Sequence, residues 1–200
     1  MKQTMKQREV LYFGTFNPVH RGHIALAEWI VEQGLGDEVV LIVSPQNPHK
    51  QSDELAPEFS RYEMCQLACE ASRYPDRIKV SAVELTLERP SYTINTLRFL
   101  SREFGSQMEF SVLIGADNLA SFDRWREAEA ILDNYHVMVY PRSGYEVEKL
   151  ADRVTLLEEA PLYDYAATDV RHAVRTGASI SDKVVPAVES YIVQNKLYTE

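Results

Sequence analysis

Short apolar runs alternate with amphipathic stretches along this chain. The runs Val10–Phe13, Val39–Val43, Ile78–Val80, Phe110–Ile114, His136–Tyr140 and Val154–Leu157 read as strands. Between and after them, helical spacing predicts helices over Gly22–Gln33, Pro57–Ala71, Thr93–Phe104, Arg126–Leu132, Thr168–Thr176 and Val185–Asn195. Leu26, Trp29, Ile30 and Gln33 mark the period of the first, and Gly34 and Gly36 end it. Strands alternating with helices predict an α/β fold on a parallel sheet. Two polar stretches, Ser44–Ala56 and Pro141–Tyr145, each follow a strand. Loops at the carboxyl ends of strands line the ligand crevice of such sheets. Both are therefore candidate site walls, although each also fits a plain surface connection.

Composition narrows the class. A chain of 200 residues, 45% of them hydrophobic, fits one domain with a well-buried core and room for a small annex. The formal net charge of −9 argues against non-specific binding to nucleic acid or to an anionic membrane. Basic residues can still converge on a small polyanion at one place. Met1–Arg8 is polar and is not followed by an apolar signal core, and no apolar run approaches the roughly 20 residues needed to span a bilayer. The expectation is a cytoplasmic protein, and homo-oligomerisation stays open. Cys65 and Cys69, four apart in a helical pattern, read as buried core residues rather than zinc ligands.

The stretch LYFGTFNPVHRGH, Leu11–His23, concentrates the candidate chemistry. Gly14 directly after a strand lets backbone approach a ligand or take a positive φ. The following helix starts near Arg21, and its first amides form a ready anion site. His20 and His23 sit three apart at that start, on one side of the helix, with Gly22 leaving room between them. Two imidazoles there suit phosphate oxygens. They also suit a metal, but a third ligand is not evident. Neither the dinucleotide fingerprint nor the Walker phosphate loop occurs.

GTFNPVHRGH resembles the GxFxPxHxGH signature of the nucleotidylyltransferase superfamily. Further segments resemble bacterial nicotinate-nucleotide adenylyltransferases: PSYTINTL at Pro90–Leu97, LIGADNLASFDRW at Leu113–Trp125, PRSGY at Pro141–Tyr145 and NPHK at Asn47–Lys50. YAATDVR, Tyr165–Arg171, stands where the superfamily has ISSTxIR, and the ending VPAVESYIVQNKLY, Val185–Tyr198, also follows the family. The likeness runs from about residue 9 to residue 198, in order, which implies a single domain over 9–200 behind a short tail over 1–8. Asn17 replaces the usual Asp, Asn47 the first Pro of PPHK, and Ala166 and Ala167 the two serines. If those hydroxyls held phosphate, ATP should bind less tightly than is usual for the family.

The resemblance implies a Rossmann-like, doubly wound parallel sheet with a small C-terminal helical part. It implies transfer of an adenylyl group from ATP to nicotinate mononucleotide in NAD biosynthesis, with Mg²⁺ carried by ATP and no metal site built from the protein. His20 and His23 would be the catalytic pair. Gly14, Thr15, Phe16, Asn17, Gly22, Lys50, Gly115, Asp117, Thr168 and Arg171 would complete the ATP site. Thr93, Trp125, Arg142 and again Asp117 would bind the mononucleotide. Trp125 also fits a core aromatic, Arg142 a solvated loop charge, and Thr93 a helix cap. A relative using nicotinamide mononucleotide or a phosphopantetheine acceptor, and a non-catalytic nucleotide-binding module, are the competing readings.

Overall fold

A computed structural model describes residues 6–45, 55–145 and 150–199. Its centre is a sheet of six strands in the order β3-β2-β1-β4-β5-β6. These are β1 (Gln7–Gly14), β2 (Glu38–Val43), β3 (Ile78–Ser81), β4 (Met108–Gly115), β5 (His136–Tyr140) and β6 (Thr155–Leu156). Every pairing is parallel. The helices are α1 (Arg21–Glu32), α2 (Glu58–Glu70), α3 (Val83–Thr86), α4 (Thr93–Phe104), α5 (Ala116–Leu119), α6 (Ala128–Asn134), α7 (Ala167–Arg175) and α8 (Pro186–Gln194). This is the parallel α/β sheet that the pattern predicts, in the Rossmann-like doubly wound form that the resemblance implies.

Alternation along the strands divides the core in two. Val10, Tyr12, Val39, Leu41, Leu113 and Met138 face one way, against buried residues of α1, α2, α7 and α8. Leu11, Val40, Ile42, Val112, Ile114, Val137 and Val139 face the other, against α4, α5 and α6. Strands buried on both faces read as continuous apolar runs, which is why they stood out in the sequence.

The structure corrects several boundaries. Gln7 and Arg8, placed in the tail by the extent of the likeness, begin β1: Gln7 is in register with Met108 and Arg8 with Glu109 of β4. Arg8 is also held by Asp37, at 2.8 Å. Pairing with a neighbouring strand extends β1 past its apolar run. The short helices α3 and α5 and a turn of 3₁₀ helix at Phe122–Arg124 carry too few residues to show a period.

Candidate active site

The chain leaves β1 toward β2 and β3, then crosses back through α4 to β4 on β1's other side. Loops after β1 and β4 therefore diverge, and a crevice opens between their carboxyl ends. It measures about 730 Å³ and is lined from Tyr12–Asn17, His20 and His23 at one end to Tyr92, Thr93, Trp125 and Arg126 at the other.

Gly14 lines the cleft but does not take a positive φ. The positive φ belongs to Phe16, at 45°. That backbone turns the buried Phe16 ring back over Gly14, where a Cβ would lie 3.0 Å from the ring. Phe16 then stands edge-on to Tyr12, centroids 5.4 Å apart, and to His23, 5.2 Å apart. Its ring supports the histidine from beneath.

His20 occupies the N-cap position of α1 in extended backbone. Its amide donates to Nδ1 of His23 at 3.1 Å, and the two imidazoles stack with centroids 3.7 Å apart. Burial drives both toward the neutral form: His20 falls to about 3, helped by the charge of Arg142, and His23 falls well below its ordinary value, helped by His20 and then by Arg142. Because Nδ1 of His23 accepts a hydrogen bond, its proton belongs on Nε2. Nδ1 of His20 is buried without a hydrogen-bond partner. Gly22 is small because a Cβ there would come within 3.1 Å of the His20 ring and 3.2 Å of Tyr163.

Asn17 and Arg171 turn out to brace the loop. Oδ1 of Asn17 accepts from the amide of Ala56 at 3.0 Å and from the Tyr198 hydroxyl at 2.8 Å, and its carbonyl accepts from Nη1 of Arg171 at 2.9 Å. An amide side chain serves those acceptor contacts as well as a carboxylate would. Thr168 lies beside Arg171 on α7, Oγ1 to Nη2 at 3.5 Å. Ala166 caps α7, and its own amide donates to the Asp169 carboxylate at 2.7 Å. Lys50, His49 and Asn47 lie outside the described residues.

At the end of β4, Gly115 lets two groups close in. A Cβ there would collide with Oδ1 of Asp117 and approach the Tyr140 hydroxyl to 3.1 Å. Asp117 and Arg142, predicted separately, come together: Nε to Oδ1 is 3.6 Å. Arg142 also lies over the Tyr140 ring, 5.4 Å from its centroid. Tyr12 and Tyr140 join hydroxyl to hydroxyl at 3.2 Å, and burial pushes both phenols up, so they stay neutral.

The far end is built from α4 and the turn before α6. Tyr92, not Thr93, is the N-cap of α4, and Thr93 is its first residue, half-buried on the cleft. Trp125 packs on Phe122, ring centroids 5.0 Å apart, while lining the cleft. It is thus both a packed aromatic and a plate open to ligand.

Sequence reading missed Arg61, which is fully buried. From α2 it donates to the carbonyls of Ala56 (3.0 Å), Thr15 (2.7 Å), Ser44 (2.6 Å) and Pro45 (2.7 Å). It clamps the loops after β1 and β2 that form this end of the cleft. The available signal was a charge on the helix face of Met64, Cys65 and Ala68. Glu84, also buried and unforeseen, lines the cleft and accepts from Thr96 at 2.9 Å. Cys65 and Cys69 are buried and free, as expected. Among the described residues no helix is long and apolar enough to cross a membrane.

Comparison with known proteins agrees with this geometry. Residues 11–173 match the cytidylyltransferase-like family model. A Bacteroides fragilis protein described as a probable nicotinate-nucleotide adenylyltransferase is 42% identical over 192 residues, covering 94% of this chain and 92% of its own. A Flavobacterium psychrophilum protein of the same description is 36% identical, covering 94% and 97%. The solved structure of Plasmodium falciparum nicotinic acid mononucleotide adenylyltransferase complexed with NaAD superposes with a TM-score of 0.81 over 96% of this chain and 97% of that one, and at 17% identity it speaks for the fold. With the histidine pair, the switch-point crevice and this likeness along nearly its whole length, the chain belongs to the nicotinate-nucleotide adenylyltransferase family.

Proposed function

We infer that the protein transfers the adenylyl group of ATP to nicotinate mononucleotide, giving nicotinate adenine dinucleotide and pyrophosphate. The observation that carries this reading is one continuous cleft with neutral imidazoles at a helix N-terminus at one end and an aromatic plate at the other. The first end suits a triphosphate. The second suits a pyridinium ring, by stacking and cation–π attraction.

The acceptor's own phosphate is the nucleophile. With a second pKa of about 6 it is largely a dianion at pH 7, so no general base is needed. Its oxygen forms a bond to the α-phosphorus as the bridging bond to pyrophosphate breaks, and the leaving group takes the electron pair. The protein's task is to bring two polyanions into line and to stabilise the charge that develops. The proton on Nε2 of His23 is the donor for the α-phosphoryl or leaving oxygens, fixed in orientation by the His20 amide on the other nitrogen. Staying neutral gives His23 a stable donor form at working pH. Arg142, now paired with Asp117, is free to exchange that partner for a phosphate oxygen.

Among the described residues no group of three or more His, Cys, Asp or Glu is placed to hold a metal ion. The carboxylates of Asp117 and Asp169 face the cleft and fit a Mg²⁺ that arrives on ATP with phosphate and water as its main ligands. Bound so, the ion would neutralise phosphate charge.

The test is pyrophosphate release with Mg²⁺-ATP, comparing nicotinate and nicotinamide mononucleotides. At least about tenfold higher kcat/KM for the acid is expected. Preference for the amide would overturn the acceptor assignment, and no turnover of either would overturn the activity.

A further inference from the structure

The cationic side chains on the cleft differ in how they are engaged. Arg142 pairs with Asp117. Arg171 donates to Asn17. Behind the wall, Arg61 donates to four carbonyls. Arg126 is different: among the described residues it makes no ion pair and no hydrogen bond. Its guanidinium lies over the Tyr92 ring, 4.9 Å from the centroid. The nearest acid in sequence, Glu127, feels its charge but forms no bond with it, because that carboxylate is taken by Arg98 through two bonds of 2.9 and 2.6 Å.

Its position gives this cation a use. Arg126 directly follows Trp125 and lines the same end of the cleft as Thr93. Tyr92, beneath the guanidinium, is the N-cap of α4 and supplies no side-chain cap. The positive end of the α4 dipole and a planar cation therefore converge beside the aromatic plate. An acceptor whose ring carried a carboxylate would meet positive potential there, and one carrying an amide would gain little from it. A guanidinium resting on an aromatic face keeps its edge donors free for a carboxylate.

We propose that the Arg126 side chain is a specificity-determining residue, reading the negative charge on the acceptor's ring and so favouring acid over amide. The proposal rests on the acceptor assigned above. Because Arg126 is exposed, the preference it confers weakens as salt rises.

The experiment is calorimetric titration of wild type, Arg126→Gln and Arg126→Lys with nicotinate mononucleotide and with nicotinamide mononucleotide, without ATP, beside kcat/KM for both. In Arg126→Gln the acid should bind about five- to tenfold more weakly, with the amide within about twofold of wild type. Arg126→Lys should keep part of the discrimination. Unchanged amide affinity also serves as the control for folding. An acid-to-amide ratio unaltered in Arg126→Gln overturns the proposal. Equal weakening of both ligands overturns it too, since that assigns Arg126 to the shared phosphate. Should wild type release no pyrophosphate yet show Arg126-dependent discrimination in binding, the activity fails and the inference stands. Turnover of the acid with a ratio indifferent to Arg126 sinks the inference alone.

Discussion

At the β1–α1 end of the cleft, the side chains are held by directed hydrogen bonds, most of them to backbone groups. Arg61 ties four carbonyls of the loops after β1 and β2, Asn17 binds Ala56 and Tyr198, and His23 is pinned by the His20 amide. At the α4 end, Trp125 rests on Phe122 and Arg126 on Tyr92, ring against ring or cation against ring. Hydrogen bonds in the low dielectric of the first end fix direction, and direction is what an in-line displacement needs. Contacts with flat faces at the second end fix a plane but leave sliding freedom. That suffices to hold a planar acceptor while its phosphate is drawn into place. The two ends thus divide geometry from recognition.

The sharpest way to break this contrast is to remove the clamp. Arg61→Ala leaves buried carbonyls unpaired and should cost about 3–5 kcal/mol of stability, read from urea unfolding. Arg61→Lys should recover less than half, since an ammonium cannot reach so many acceptors in one plane. A loss below about 1 kcal/mol would show that the first end does not depend on this network. Next in size, His23→Ala should lower kcat by about 10²–10³ with little change in the KM for nicotinate mononucleotide. A purified variant within about threefold of wild type would refute its role.

The pH dependence sharpens the same point. The folded pKa of His20 is about 3, below its unfolded value of about 6.5. Between these values the unfolded chain takes up a proton that the folded one does not, so stability falls as pH drops through that window and is unaffected above it. From pH 7 to pH 5 the loss should be about 2 kcal/mol from this residue, and His20→Asn should show correspondingly less acid sensitivity. Equal acid sensitivity in both proteins would mean that His20 is not held neutral. The smallest effect belongs to the second end: Trp125→Ala should raise the KM for nicotinate mononucleotide about fivefold and leave that for ATP unchanged. A rise shared by both substrates would erase the distinction between the ends.

How much was legible follows the same division. His20 and His23 could be read because three-residue spacing at a strand-to-helix turn is a local property. Thr93, Trp125, Asp117 and Arg142 could be read through family likeness, though nothing in the chain indicated that Asp117 and Arg142 touch. Arg61 could not be read, since its acceptors Thr15 and Ser44 lie 46 and 17 residues away and offer only carbonyl groups. The packing of Phe16 over Gly14 was also hidden. It depends on the positive φ of Phe16, which no rule assigns to a bulky residue. Gly115 likewise answers to Asp117 and to Tyr140 across the strand pair.

By itself the sequence determined the order of strands and helices, the two-faced core and the histidine turn, because each is written in periodicity or in a short run of neighbours. Only the tertiary structure decided that the histidines are neutral, that Arg61 clamps the loops and that Arg126, among the described residues, rests on Tyr92 rather than in an ion pair. Protonation depends on desolvation and on the charge of Arg142, both set by which segments the sheet brings together. The pairing of charges is a contest among distant neighbours. Glu127 goes to Arg98 and Asp117 to Arg142, so the choice of partners is made in space rather than along the chain.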